Sequence, residues 1–489
     1  MKNRKFNVKI ILVVIAVLCL TFIVTACNKA NEKVVTSPIY EINLCYDGDR
    51  TVKATQNVCY FNNSDGDLTE IVMALYANAY SESGKPFTAQ NVGAAYYDGL
   101  SYGGIEIKSL TVEKEKTDFT VSDTKMSFKI PTLSSGKSVN LSLEYEITLP
   151  LCNGRLGKTK DSVNLSGFYP QICPLKNGQF VCNEYSALGD PFCSEISDFF
   201  VNVTLPSNEY KIATSGKITE AKEIDAEPKK IDYEIIAEKT RDFGLVASTA
   251  LKSLSADVDG VTVIYDYLSD PEPETSLKIA ESALTTFSTA FGKYPYSTYT
   301  VCETPFVHKG MEFSTLVMID DKMTPKEREL TIVHETAHQW WYGVVGSNQF
   351  DEAFLDEGLT EFSTAYYYKA TGDVETFSRL IKSHKANYQL FSEYSASNGS
   401  SFDGKMSKRL CDFSSENDYI VTAYDEGALA FNSVYEIMGE KRFLKAAKKY
   451  FKDNAFKIAT VDDFKNAIDK YSKQAGKTLN AWLEGTVKL

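Results

Sequence analysis

Residues 334–338 read His-Glu-Thr-Ala-His, and the chemistry of the chain is concentrated there. Histidines at i and i+4 lie on one face of an α-helix, so both imidazoles can reach a single tetrahedral metal ion. The helix carries its own start signal: Thr324 as N-cap, Pro325 at the first helical position and Glu327 completing a capping box. A third donor is needed. A histidine at position 344 would give a three-imidazole set, but that residue is Val344. Instead Phe354-Leu355-Asp356-Glu357-Gly358-Leu359 follows, with 18 residues between His338 and Glu357. That gap suits a loop and a second helix returning antiparallel beside the first. His334, His338 and Glu357 are therefore read as ligands of one Zn2+ per chain. Three protein donors leave a fourth position for water, the mark of a catalytic site as opposed to a structural one. Glu335 is read as the general base, taking the proton as zinc-bound water attacks a peptide carbonyl. No close Cys-x-x-Cys pair offers a competing metal site.

These residues have to be positioned by a chain whose period changes part-way. From about 38 to 255 the dominant period is two: Leu141, Leu143, Tyr145, Ile147 and Leu149 alternate with polar residues, and Val201, Val203 and Leu205 stop at Pro206. Asp47-Gly48, Asp65-Gly66 and Asn177-Gly178 punctuate the region as turns. From about 272 the period becomes helical, with Leu277, Ala280, Leu284, Phe287 and Phe291 on one face and Gly292 ending it. Strand-like runs near 297–304 and 314–320 follow, and beyond Pro325 the chain reads as mostly helical. The fold class predicted is α+β multidomain: an antiparallel β-sandwich or saddle domain at 38–255, then an α/β catalytic domain at 256–489.

The 489 residues exceed one ordinary core, and 43% hydrophobic with 24% charged residues describes a folded chain. Four basic residues precede the apolar stretch Ile10 to Val24, a secretory signal too short to span a bilayer. Val24-Thr25-Ala26-Cys27 resembles a bacterial lipobox, so residues 1–26 are read as signal peptide, Cys27 as the lipid-bearing residue and 27–37 as a tether. The expected location is the outer face of a bacterial cell membrane. Removing Lys2, Arg4, Lys5 and Lys9 takes the formal charge from −13 to −17, which argues against nucleic acid as a partner. Eight cysteines remain after Cys19 and Cys27 are set aside, an even number in an oxidising compartment. Register from the Asn177-Gly178 turn places Cys173 opposite Cys182 as a candidate disulfide, against which Pro174 brings no amide to the ladder. Cys45, Cys59, Cys152, Cys193, Cys302 and Cys411 are left open.

Four segments together resemble the aminopeptidase-N-like gluzincin metallopeptidases: HETAHQWWYGVVG at 334–346, FLDEGLTEF at 354–362, KGMEF at 309–313 and DYIVTAYDEGALAF at 418–431. The resemblance implies a thermolysin-like catalytic domain behind a β-rich one, and peptides as substrates. Carried over, it makes His334, His338 and Glu357 the zinc ligands and Glu335 the base. It makes Tyr424 the phenol that stabilises the tetrahedral oxyanion. Gly310-Met311-Glu312 resembles the family's Gly-Ala-Met-Glu-Asn segment, an edge strand to which substrate adds, with Glu312 binding the free α-amine. Here Lys309 and Phe313 replace the flanking glycine and asparagine. The family's second amine-binding residue, from the β domain, is expected near Asn183-Glu184. Glu361, four residues past Glu357, is either a carboxylate orienting a ligand histidine or a solvated helix glutamate. Only 65 residues follow Tyr424, so the reading is of a member without the large helical domain that many relatives append, with a more open cleft. The expected activity is removal of N-terminal residues from peptides. A zinc endopeptidase with an altered amine site and an inactive peptide-binding lipoprotein stand as alternatives; Glu335 and Tyr424 speak against the last.

Overall fold

A computed structural model describes residues 37–400 and 402–487. Cys27 and the expected signal peptide lie outside the described residues. The alternating segments form an eight-stranded sheet. Its order is Lys217–Ile224, Lys230–Thr240, Ser197–Leu205, Ile39–Tyr46, Thr51–Phe61, Ser138–Thr148, Gly104–Val112 and Glu115–Lys116. In Ser138–Thr148 the residues Val139, Leu141, Leu143, Tyr145 and Ile147 are all buried, as their alternation demands. One pairing departs from the antiparallel expectation: Ile39–Tyr46 runs parallel to Ser197–Leu205. These strands are far apart in sequence, so no tight turn dictates their direction. A second, four-stranded sheet built on Leu68–Ala74 and Lys125–Leu133 shares a core with the first, giving a sandwich.

The Asn177-Gly178 turn forms as read, with both residues at positive φ and Leu175 opposite Phe180. The missing amide of Pro174 is harmless, because Val181 N–H donates to the Pro174 carbonyl at 2.8 Å. Cys173 and Cys182 come together across this hairpin as free thiols.

The second half begins with a five-stranded sheet ordered Lys252–Val258, Val261–Tyr267, Thr298–Thr304, Leu316–Asp320 and Gly310–Met311. The expected division between 255 and 256 falls inside the first of these strands. The central pairings are parallel and the outer two antiparallel, which leaves Gly310–Met311 as an edge. Helices cover the sheet: Pro273–Phe291, Pro325–His338, Ala353–Ala370, Val374–Ser397 and Gly427–Met438, with three more reaching Leu483. The capping box at Thr324 and Glu327 is formed.

Two close contacts fix the geometry around the site. Gly358 and Gly427 meet where their helices cross; a Cβ on either would lie 2.6 Å from the other's Cα. Arg241, from the β-rich half, is fully buried without a carboxylate partner. It donates instead to carbonyls of Ser194 at 2.7 Å, Tyr342 at 2.8 Å, Lys457 at 3.1 Å and Val344 at 3.3 Å, binding the two halves together behind the metal-motif helix.

Candidate active site

The Pro325–His338 helix presents His334 and His338 one turn apart, and Ala353–Ala370 returns beside it carrying Glu357. His334 Nε2 and His338 Nε2 lie 3.1 Å apart, and Glu357 Oε2 is 3.4 Å from the first and 3.3 Å from the second. A tetrahedral ion bound at about 2.0–2.1 Å sets its donors about 3.3 Å apart, so this triangle has the size of one face of a zinc tetrahedron. The partners of the two Nδ1 atoms fit such a site. His338 Nδ1 faces Asp356 Oδ1 at 2.8 Å and His334 Nδ1 faces Glu361 Oε1 at 3.5 Å. A proton on each Nδ1 turns both Nε2 lone pairs toward the carboxylate Oε2 of Glu357, which is buried with no hydrogen-bond partner. Three electron-rich atoms facing one another in a buried site call for a cation.

Glu335 lies beside this triangle. Burial pushes its carboxyl up to about 7, with both imidazoles opposing the shift. Its Oε2 has no hydrogen-bond partner. The edge strand passes so close that a Cβ on Gly310 would sit 1.9 Å from Glu335 Oε1, so a side chain there would push the Glu335 carboxylate aside. Met311 is buried in that strand and receives the Nε–H of Arg155 on its sulfur at 3.1 Å. Glu312 follows, 3% exposed, accepting from Gln349 Nε2 at 2.8 Å. Tyr424 sits in a π-helical turn, Val421–Glu426, its ring parallel to that of His334 at 6.2 Å. Burial, reinforced by Glu357, holds its phenol protonated well past the usual range.

A cleft of about 610 Å³ joins these groups, and all four histidines of the chain line it. Glu312, Glu335, Glu357, Glu361 and Glu416 give it an acidic wall. Its two basic residues are already paired, Arg155 with Asp190 and Lys309 with Asp320. The cleft therefore favours a cationic ligand group.

Of the catalytic, ligand and strand residues singled out in the described sequence, all but Met311 line this cleft; Met311 packs into the core beneath it. Asn183 and Glu184 do not line it. Asn183 bonds Pro191 O and Asn348 Oδ1, and Glu184 lines a separate cavity. The acid that the β-rich half brings into the cleft is Asp190, which accepts from Arg155. Asp356, Asp425 and His384 were also missed. The first two stand beside singled-out residues, and the third is one of only four histidines.

Residues 275–484 match the family model described as Peptidase family M1 domain. Over that segment the chain is similar to peptidase family M1. Aminopeptidase N of Lactobacillus helveticus is 24% identical over 405 residues, covering 77% of this chain and 46% of that protein. Aminopeptidase N of Streptomyces lividans is 26% identical over 213 residues, covering 39% of this chain and 23% of that one. This chain thus spans less than half the length of the curated relatives it matches. The M1 zinc metallopeptidase of Deinococcus radiodurans matches it in fold, with a TM-score of 0.67 at 18% identity over 93% of this chain and 95% of that one. The likeness spans both the sandwich and the mixed-sheet and helical half.

Proposed function

We propose that this protein is a zinc aminopeptidase that hydrolyses the N-terminal residues of peptides. The observation that carries the proposal is the convergence of His334 Nε2, His338 Nε2 and Glu357 Oε2 within 3.4 Å of one another, beside the unpartnered Glu335 carboxyl. Zinc held by those three donors would supply a Lewis acid that polarises the scissile carbonyl and makes water a nucleophile near neutral pH. Substrate extends the sheet along the Gly310–Met311 edge, which brings its carbonyl past Glu335. Glu335 accepts the proton of the attacking water and passes it to the departing amine. Tyr424 donates its O–H to the developing oxyanion. Glu312, with Asp190 across the cleft, receives the substrate's ammonium group, and the acidic wall selects peptides with a free N-terminus.

Turnover of free-amine aminoacyl substrates is compared with that of N-blocked peptides, in the wild type and in Glu335→Gln. Hydrolysis of the free-amine set, abolished by Glu335→Gln with metal retained, is the expected result. Cleavage of blocked peptides alone would make the enzyme an endopeptidase, and wild-type turnover by Glu335→Gln would remove the assigned base.

The chain is further proposed to act outside the cell, anchored by lipid at Cys27, with Cys173 and Cys182 oxidised to a disulfide. The support is the lipobox-like sequence and the approach of the two thiols. Cys27→Ser should move the protein from the membrane to the soluble fraction, and unchanged partition would refute the anchor. Thiol counting on denatured protein reads the pair directly: two free thiols at these positions would refute the disulfide.

A further inference from the structure

His384 stands on the Val374–Ser397 helix and has no part in the reaction as drawn. It is not placed like an ordinary core histidine. Its Nδ1 is 2.8 Å from Asp425 Oδ1, an oxygen that also accepts from Asn387 Nδ2 at 3.1 Å. Its Nε2 is buried without a hydrogen-bond partner. That atom faces Glu361 Oε2 at 3.7 Å, while Glu361 Oε1 faces His334 Nδ1 at 3.5 Å. Imidazole and carboxylate thus alternate from His334 through Glu361 and His384 to Asp425. The chain then returns to its start, because Asp425 adjoins Tyr424, whose ring lies parallel to that of His334.

Glu361 is the weak member of this series. Its side chain is 23% exposed, the most exposed of the four, and a glutamate has three rotatable bonds. Left alone it would have no reason to keep an oxygen on His334 Nδ1. His384 donates Nδ1–H to Asp425, so it holds the other oxygen as an imidazolium whose Nε2–H faces Glu361; burial opposes that form, but Asp425 and Glu361 outweigh it and raise its pKa.

We propose that His384 is a positioning residue. Fixed by Asp425, it holds Glu361 where it receives the His334 Nδ1 proton, and so aims the His334 lone pair and ties the Tyr424 turn to that ligand. The proposal rests on the reading of His334 as a zinc ligand. Partners of metal-bound histidines typically matter 10–100-fold to metal affinity or activity, and His384 acts one step further out.

The test uses the zinc-loaded full chain as wild type, Glu361→Ala, His384→Ala, the double variant and His384→Gln. Zinc affinity is read by competition with a chelator, alongside kcat and KM. We expect His384→Ala to weaken zinc binding and lower kcat by about 10-fold each, with KM within about two-fold. The double variant should be no worse than Glu361→Ala alone, because the effect travels through Glu361. His384→Gln, whose amide can still donate to Glu361, should recover most of the loss. Wild-type zinc affinity in His384→Ala, or additive losses in the double variant, would overturn the proposal. Melting of the metal-free proteins identifies any variant that has not folded; if His384→Ala is one, His384→Gln with and without Glu361→Ala decides. A wild type that binds no zinc would sink the ligand reading itself, a different failure from a wild type that binds zinc and a His384→Ala that binds it equally well.

Discussion

At the scale of single residues, the site is organised by where protons sit. Asp356 and Glu361 each face the Nδ1 of one histidine, so both Nε2 atoms are left as donors to a cation. Tyr424 is the complementary case, a phenol that burial keeps protonated and therefore able to donate. Tyr424→Phe keeps the ring over His334 and removes only the O–H. We expect kcat to fall by about 10²–10³-fold with KM little changed, the usual cost of losing one oxyanion donor. Steady-state kinetics on a free-amine substrate measures this, and near-wild-type kcat would reassign Tyr424 to packing. The proposed ligands and base were legible in the sequence because their spacing is local to two helices. Asp190 was not, because its place depends on an ion pair with Arg155 and on a loop whose path no local pattern dictates.

Between elements, the distance that matters is the one separating the Glu357 helix from the Tyr424 turn, and two glycines set it. Gly358→Ala would place a methyl 2.6 Å from Gly427 Cα and 3.0 Å from Ala423 O, so the helices must part. Overpacking of this kind costs about 1–3 kcal/mol, and the shift carries Glu357 away from Tyr424. A lower melting temperature together with reduced kcat is expected; wild-type values for both would show that the crossing does not position the site. The same turn holds Glu426, whose buried Oε2 has no hydrogen-bond partner. Burial pushes its carboxyl up to about 9, with Lys408 opposing. An acid whose folded pKa is raised keeps its proton in the native state while the unfolded chain gives it up above about pH 4.3, so wild-type stability falls as pH rises toward 9. Glu426→Gln lacks this loss. Urea unfolding should show the two proteins alike near pH 4 and the variant more stable by a few kcal/mol at pH 8. A pH-independent gap would place the Glu426 proton elsewhere.

Over the whole molecule, the change of period from two to helical announced both kinds of structure, and the helix start at Thr324 and the strand runs at Thr298–Thr304 and Leu316–Asp320 fell where the patterning put them. What patterning could not show was direction and contact. The parallel pairing of Ile39–Tyr46 with Ser197–Leu205 joins segments more than 150 residues apart. Arg241 and Arg155 bind the halves through long-range hydrogen bonds that leave no local periodicity. The purpose of that assembly is to hold three donors around one ion with the Gly310–Met311 edge and Asp190 closing the cleft beside it. The most direct measurement is therefore metal stoichiometry, by elemental analysis of the purified wild type and of Glu357→Ala after dialysis against chelator. One zinc per wild-type chain, and loss of tight binding in the variant, is the expected result. A wild type without bound transition metal, or a Glu357→Ala that keeps it equally well, would contradict the account.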